Sequence, residues 1–442
     1  MINEKKKKIL LNIMFILLYS FCASIITNSN FLCLILANTF FIIVFNSNFD
    51  LFKEKKEKII YIIINIVMLI LLVYNAKYKN LPFTNVDWTS FDLFAKTTLS
   101  NSNNVIDILL KSIDAFTAFV TCIYHFFGQN INQVYFFILP CAGVLFRYVY
   151  KIMYEITDNY KKSVIIAYLS LLWPVNFIFS LSLLREVPIE MFICISIFHF
   201  IKYLKTNSMK QFIISLCLLF VPILMHSGLI CLLLVYLYVF LQNKLKKQVN
   251  YIDWKILFFS FALVLLLALT PVWDFVSRRF YGIDSIEDVL FILKWHNDTL
   301  VANTAYVKWL PTTRTGLILH IPYRMILFVF TPFLWQTYDF GTFLAFLFDG
   351  VWRIFIMYFV IKIFVETKKY KPFDQKIIKM FAMLLVGFYL IFGMGTNNYG
   401  TSMRHRMKLF PLELILIGSY SNIFDNKKVK IVLDKCFSTE IQ

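Results

Sequence analysis

The sequence predicts an all-α polytopic integral membrane protein with about 11 to 13 transmembrane or re-entrant helices. Apolar residues make up 59% of the 442 residues and charged residues 16%, whereas soluble domains average about 45–50% apolar and about 25% charged residues. Many apolar runs approach the roughly 20 residues that cross a bilayer. We therefore expect a single membrane domain over residues 1–442.

The net charge of +18 comes largely from lysine clusters that separate the apolar runs. Cytoplasmic loops of membrane proteins are enriched in Lys and Arg, so these clusters predict topology, and we expect no nucleic-acid partner. We place all of them, with both termini, on the cytoplasmic side of a membrane that the chain crosses many times. The clusters are Lys5–Lys8, Lys53–Lys58, Lys161–Lys162, Lys202–Lys210, Lys244–Lys247, Lys368–Lys371 and Lys427–Lys430.

If successive clusters lie on one side, the chain crosses an even number of times between them. The third and fourth clusters are separated by about 39 residues, or about 58 Å of helix, which is enough for two spans. The turn of this hairpin would carry Arg185 and Glu186 to the outer side. By the same argument, residues 211–242 form a hairpin whose turn, Met225–Gly228, places His226 near the outer face.

The other predicted crossings are 9–27, 31–47, 59–75, 134–154, 255–273, 341–365, 378–394 and 407–424. Three regions are expected to lie outside the spans: an outer loop with an amphipathic helix at 75–127, an outer loop with a re-entrant segment at 274–340, and a cytoplasmic tail at 425–442. Within 105–127, Asp107, Lys111 and Asp114 fall on one helical face. Residues 397–406 form the predicted outer turn before the last helix.

This topology gathers ionisable side chains on the outer face. Arginine is unusual there and expensive inside the bilayer, so outer arginines indicate an anionic ligand, and the planar guanidinium suits bidentate phosphate binding. Histidine and carboxylates supply general acid–base groups. The candidates are Asp87, Asp92, Arg185, Glu186, His226, Arg314, Arg324, Arg404, His405 and Arg406.

Structural interpretations of the same residues stay open. Arg185 and Glu186 would then form a local ion pair, Arg404 and Arg406 would anchor a helix at the interface, and His226 would bond to backbone at a helix end. Phosphate-binding loops, nucleophile elbows, dinucleotide fingerprints and metal-ligand spacings are absent from the sequence. We therefore expect no metal and no cofactor.

The order of these features resembles bacterial polysaccharide polymerases of the EpsG/Wzy kind, which are polytopic glycosyltransferases acting on lipid-linked sugars of O-antigen, capsule and exopolysaccharide. The resemblance covers residues 75–410. Glu186 stands where relatives usually have glutamine. The segments that carry it are Asn85–Asp92, 105–127, Leu183–Glu186, Leu224–Ile230, Arg324–Trp335 and Arg404–Arg406.

The resemblance implies polymerisation of undecaprenyl-diphosphate-linked oligosaccharide repeat units at the outer face. Membrane lipids and other polysaccharide assembly proteins are further expected partners. The implied roles are diphosphate binding by Arg185, Arg314, Arg324, Arg404 and Arg406, and proton acceptance from the attacking sugar hydroxyl by Asp87, Asp92, Glu186 or His226.

Two alternatives to a polymerase stay open. One is a glycosyltransferase that uses a polyprenyl-phosphate sugar, or a glycan ligase. The other is a transporter or flippase of an anionic lipid-linked substrate. The depth of the charged residues in the membrane distinguishes an enzyme from a transporter. An enzyme of this type concentrates its charges in one outer layer, whereas a transporter places some near the middle of the membrane.

Overall fold

The protein is a bundle of apolar helices, as predicted. The computed structural model describes residues 2–82, 87–245, 255–258, 260, 314–396 and 398–421. Within these residues, eight helices are long and apolar enough to cross a membrane, which confirms an all-α polytopic membrane protein. They are Lys6–Thr27, Phe31–Phe49, Lys55–Tyr78, Ile131–Thr157, Glu186–Thr206, Ser227–Lys244, Phe340–Val365 and Pro372–Gly395.

The helices are numbered here in chain order. They are α1 (Ile2–Thr27), α2 (Phe31–Phe49), α3 (Lys55–Tyr78), α4 (Asp87–Ser100), α5 (Val105–Lys111), α6 (Ala115–Phe127), α7 (Ile138–Thr157), α8 (Tyr160–Leu172), α9 (Pro174–Phe179), α10 (Glu186–Thr206), α11 (Met209–Met225), α12 (Ile230–Lys244), α13 (Arg314–Phe330), α14 (Phe340–Ala345), α15 (Val351–Val365), α16 (Pro372–Gly395), α17 (Tyr399–Met407) and α18 (Phe410–Tyr420). A π-helical turn, Phe346–Gly350, joins α14 to α15.

The chain divides into two compact units. The first contains the described residues of 1–151 and 167–191, and the second those of 152–166 and 192–421. Each unit is described by itself below.

Buried amides tie the membrane helices of the first unit together. Asn38 Nδ2 donates to Ser20 Oγ at 2.9 Å, which joins α2 to α1. Asn48 Nδ2 donates to Tyr61 OH at 3.0 Å and to the Gly143 carbonyl at 2.8 Å, which joins α2 to α3 and α7. Lipid offers no hydrogen bonds, so such polar contacts and close packing hold membrane helices together.

The second unit packs α10, α11 and α12 through a hydroxyl and aromatic rings. Ser196 Oγ donates to the Ser215 carbonyl at 2.8 Å and lies 2.9 Å from Tyr236 OH. The rings of Phe212 and Phe240 stack with their centroids 4.0 Å apart. In the same unit α13 packs along α16, and α15 packs against α18.

Two helix breaks were predicted from the spacing of the lysine clusters, and both lie at the predicted positions. Helix α9 ends at Phe179 and α10 begins at Glu186, so the intervening turn carries Arg185. Helix α11 ends at Met225, and His226 leaves helical geometry with φ −153°. Both breaks are confirmed.

The single amphipathic helix predicted over 105–127 is wrong. The segment is two helices, α5 and α6, because Asp114 adopts extended backbone and its carboxylate accepts from the Thr117 N–H at 2.8 Å. An aspartate in this position caps the helix that follows it. Asp107 and Lys111 do share a face, with 3.5 Å between Oδ2 and Nζ, but Asp114 is not part of it.

The outer turn predicted over residues 397–406 is also wrong. Residues from Tyr399 to Met407 form α17, whose first turn is capped by Asn398 Oδ1 accepting from the Thr401 N–H at 2.8 Å. Asparagine is one of the preferred residues at the position before a helix.

Parts of the predicted topology lie outside the described residues. These are most of the crossing at 255–273, the outer loop from 274 to 313, and the tail at 425–442. The predicted re-entrant segment corresponds to α13, whose 17 residues span about 25 Å, less than the hydrocarbon core of about 30 Å.

Gly350→Ala is expected to lower the free energy of unfolding by about 1–3 kcal/mol, the usual effect of overpacking. An added Cβ would lie 2.2 Å from the Pro332 carbonyl oxygen, a backbone atom that a rotamer change cannot move aside. Gly387→Ala in α16 is the matched control, because nothing lies within 4 Å of its added Cβ. Thermal unfolding of the purified variants in one detergent measures the difference, and equal midpoints would contradict this packing.

Candidate functional site

Two histidines, a lysine and a phenylalanine meet in the second unit, and we call them the histidine cluster: His226, Phe392, His405 and Lys408. The ring centroids of His226 and His405 are 5.1 Å apart, and each lies 4.8 Å from that of Phe392. Lys408 Nζ is in hydrogen-bond contact with His405 Nδ1 and lies 5.2 Å from the Phe392 centroid. The cluster thus joins the break after α11 to the ends of α16 and α17.

Close packing at a glycine holds the cluster in place. An added Cβ at Gly228 would lie 3.1 Å from Phe392 Cζ, so the turn after His226 rests directly on the Phe392 ring. A side chain at this position would require the Phe392 ring to shift by a few tenths of an ångström.

The histidine cluster lies at the helix ends opposite the lysine clusters. Helix α16 begins beside Lys368–Lys371, and Phe392 is about 30 Å further along it. Helix α11 begins within Lys202–Lys210, and His226 follows its last residue about 25 Å away. The second unit therefore separates a lysine-rich end from an end that carries histidines and arginines.

Arg404 lies on α17, next to His405, and is partly buried. Burial lowers the pKa of Arg404 to about 10, so the guanidinium is still a cation at pH 7 but has lost part of its hydration. A desolvated cation gains more from an anionic ligand than a hydrated one does. Anion binding by Arg404 stays a prediction, with which a partly buried cation is compatible.

Arg324 is fully buried and caps a helix. Its Nη2 donates to the Met394 carbonyl at 2.7 Å and to the Thr396 carbonyl at 3.3 Å, and Nε donates to the Gly393 carbonyl at 3.3 Å. The C-terminal end of a helix carries partial negative charge, which a cation stabilises. The structure thus gives Arg324 a structural role at the end of α16.

Arg406 is also fully buried and faces away from the histidine cluster into the protein. Its Nη1 donates to the Phe328 carbonyl, and its Nη2 donates to the Thr331 carbonyl at 2.6 Å and to the Asp349 carboxylate. Like Arg324, it makes contacts that anchor the fold. Diphosphate binding by these two arginines stays a prediction that the described contacts do not favour.

A second buried ion pair lies deeper along the same helices. Arg353 Nη1 donates to the Glu413 carboxylate, with both side chains 0% exposed, and Tyr389 OH donates to the same carboxylate. Arg353 lies near the middle of the 26-residue span Phe340–Val365. We call Asp349, Arg353, Tyr389, Arg406 and Glu413 the buried ion-pair network.

In the first unit, Arg185 pairs with an aspartate from another element. Its Nη1 donates to Asp114 Oδ2 at 2.7 Å, and its guanidinium carbon lies 5.8 Å from the Phe91 centroid. The opposite oxygen of Asp114 caps α6. Arg185 therefore forms an ion pair with Asp114, a residue 71 positions earlier in the chain.

Asp92 lies on α4 and accepts two hydrogen bonds. Tyr124 OH donates to its Oδ1 at 2.5 Å and Lys96 Nζ to its Oδ2 at 2.7 Å. Lys79 Nζ lies 4.8 Å from the Trp88 centroid, and burial lowers the pKa of Lys79 while Asp92 opposes that shift. Asp92 thus has a tyrosine and two lysines as its neighbours.

Three predicted site residues are defined only by their position or burial. Glu186 is buried at the start of α10. Asp87 begins α4 and Arg314 begins α13, but their side chains lie outside the described part of the structure. Their roles stay predictions.

Several residues of these clusters were not among the predicted site residues. Lys408 follows the Arg404–Arg406 run by two positions. Its closeness to that run in the sequence could have indicated it as a site residue. Asp349, Arg353 and Glu413 are ionisable residues inside apolar runs, a pattern that marks functional positions in membrane proteins. Among the described residues, no group of three or more His, Cys, Asp or Glu side chains could hold a metal ion.

Comparison with known proteins gives no relative. No protein-family model matches the chain, and no curated protein matches it. The resemblance to polysaccharide polymerases therefore stays a prediction carried by the residues themselves.

Proposed function

We propose that the protein is a membrane glycosyltransferase of the polysaccharide-polymerase type, which joins oligosaccharide units carried on undecaprenyl diphosphate. The observation that carries the proposal is the histidine cluster with Arg404 beside it. It brings two imidazoles and an ammonium group together at the ends of apolar helices, and Arg404 precedes His405 on α17. Such a set combines anion binding with proton transfer.

The transfer step uses these groups in distinct roles. A hydroxyl oxygen of the acceptor sugar attacks the anomeric carbon of the donor, and the bond from that carbon to the diphosphate oxygen breaks. The lipid diphosphate leaves with the electron pair, and Arg404 stabilises its charge. Lys408 is fully buried and acts through its contact with His405. The hydroxyl proton passes to His226, which lies in the turn before α12.

The contacts of Asp92, one of the other candidate proton acceptors, favour His226 over it. Asp92 already accepts hydrogen bonds from Tyr124 and Lys96, so its oxygens are engaged within the first unit. A neutral imidazole has one nitrogen with a lone pair and an ordinary pKa of about 6.5, which suits a general base near neutral pH.

The location of the cluster supports chemistry at the outer face. It lies at the helix ends opposite Lys202–Lys210 and Lys368–Lys371, and the positive-inside rule places such lysine clusters in the cytoplasm. The lipid-linked donor would reach the cluster laterally from the bilayer, with its diphosphate at the level of the helix ends.

Arg404→Lys is expected to slow polymerisation about 100-fold, because lysine keeps the charge but loses the planar pair of donors that fits a phosphate. In cells that depend on this protein for their polymer, gel analysis of the glycan would show short chains in place of long ones.

Arg147→Lys is the matched control for this experiment. Arg147 is a partly buried arginine of α7 that donates to the Ser47 carbonyl and belongs to none of the clusters. It should leave the chain length unchanged. Full-length polymer from the Arg404→Lys variant, at equal protein levels, would contradict anion binding at this position.

A transporter or flippase of an anionic lipid-linked substrate is the second candidate. The observation that favours it is the depth of the buried ion-pair network, since Arg353 and Glu413 lie within apolar helices. Ionisable residues at that depth mark ion or substrate pathways in many transporters. Against this, the two arginines and two carboxylates pair with each other, so the network has no formal net charge to attract a substrate.

A further inference from the structure

Helix α17 carries two sets of side chains with different tasks. Arg404 and His405 belong to the candidate site, whereas Arg406 is 0% exposed and bonds to the Asp349 carboxylate and to two backbone carbonyls. The helix is only nine residues long, so the contacts of Arg406 fix its rotation about its own axis. A rotation of one residue, about 100°, would carry His405 away from His226.

Asp349 reaches Arg406 from an irregular part of its helix. It belongs to the π-helical turn Phe346–Gly350, and π-helical turns re-aim side chains and often accompany functional sites. Gly350 lets this turn rest on the Pro332 carbonyl, next to the Thr331 carbonyl that also accepts from Arg406. The Asp349 carboxylate and the carbonyls at the end of α13 therefore bind the Arg406 guanidinium together.

The second ion pair fixes the helix that follows. Glu413 lies on α18, which α17 joins through Lys408 and Leu409. Arg353 and Tyr389 both bond to its carboxylate. Asp349 and Arg353, four residues apart on one membrane helix, thus hold the two consecutive helices that flank Lys408.

We propose that Asp349 and Arg353 are positioning residues: their buried ion pairs with Arg406 and Glu413 orient α17 and α18 so that His405 and Lys408 meet His226. As a role in glycosyl transfer this rests on the proposed function. The geometric part stands without it, because the proximity of His405 to His226 can be measured in a protein that transfers nothing.

The test measures that proximity by crosslinking. In the full-length protein, His226→Cys and His405→Cys are combined and treated with dibromobimane, a short reagent that becomes fluorescent when it joins two thiols. Mass spectrometry of the linked peptides separates this product from those of the native cysteines. We expect the parent double variant to crosslink efficiently, because the two rings lie 5.1 Å apart.

Adding Asp349→Asn is expected to lower the crosslink yield about tenfold, because removal of one charge from a buried pair strongly destabilises the arrangement. Asp349→Glu should restore most of it. The matched control is Glu366→Gln, which removes a carboxylate from the exposed pair with Lys369 and should leave the yield unchanged. If the folded Asp349→Asn protein gives the same crosslink yield as the parent double variant, the proposal is overturned.

A second variant covers the case in which Asp349→Asn does not fold. Replacing both partners, Asp349→Leu with Arg406→Met, removes the charges together, and such apolar replacements are often neutral or stabilising. The proposal expects this protein to keep its thermal midpoint and lose about tenfold in crosslink yield. A parental yield would overturn it, and so would a failure to fold, because the pair would then hold the unit together rather than orient one helix.

Discussion

The Arg353→Met variant is expected to lose about 3–5 kcal/mol of unfolding free energy relative to the parent protein. Arg353 and Glu413 are both 0% exposed and bond to each other, so methionine would leave a carboxylate buried in apolar helices without its cation. Thermal or denaturant unfolding of the purified protein in detergent gives the measurement.

The double variant Arg353→Met with Glu413→Leu is expected to recover most of that loss, because no unpaired charge remains. The control is Lys369→Met, which breaks an exposed pair with Glu366 and should change the free energy by less than about 1 kcal/mol. A double variant as unstable as the single one would show that the helices need the pair itself, and the account of an uncompensated charge would be wrong.

The second large effect is expected from His226→Ala, which should slow glycosyl transfer about 10²- to 10⁴-fold, the usual contribution of a general base. His226 lies beside His405 in the turn before α12, where it would receive the proton of the attacking hydroxyl. Donor binding should change much less than the rate, because the diphosphate contacts Arg404 in this proposal. Single-turnover transfer and equilibrium donor binding, measured on the purified protein, separate the two quantities.

His125→Ala provides the control for that experiment. His125 is exposed on α6 and contacts the ring of Phe126. Its replacement should leave transfer unchanged. Transfer by His226→Ala within about threefold of the parent rate would remove the histidine from the chemistry.

The sequence was sufficient to predict the helices and the positions of their breaks. Apolar run lengths define the spans, and the even-crossing argument places turns beside Arg185 and His226, where the structure has them. It failed where a local cap overrides periodicity. Asp114 and Asn398 each cap the start of a helix by accepting from a backbone N–H three residues further on, and both are preferred capping residues.

The site was harder to predict because sequence spacing carries no information about which way a short helix faces. Arg404 and Arg406 look equivalent in the sequence, yet Arg404 is partly exposed while Arg406 is fully buried and bonds to Asp349 inside the protein. Arg185 was expected to bind a phosphate or to pair with Glu186, and its partner Asp114 lies far away in the chain. Such long-range pairs become visible only after folding.

The central claim is that this protein transfers glycosyl units from a lipid diphosphate. The most direct measurement incubates the purified wild-type protein in vesicles with undecaprenyl-diphosphate-linked oligosaccharide from its own cells, and follows the glycan by gel and the released lipid by mass spectrometry. We predict a ladder of repeat multiples, with one undecaprenyl diphosphate released for each new bond. Movement of the intact donor across the vesicle membrane, with no ladder and no released lipid, would contradict the claim and favour a transporter.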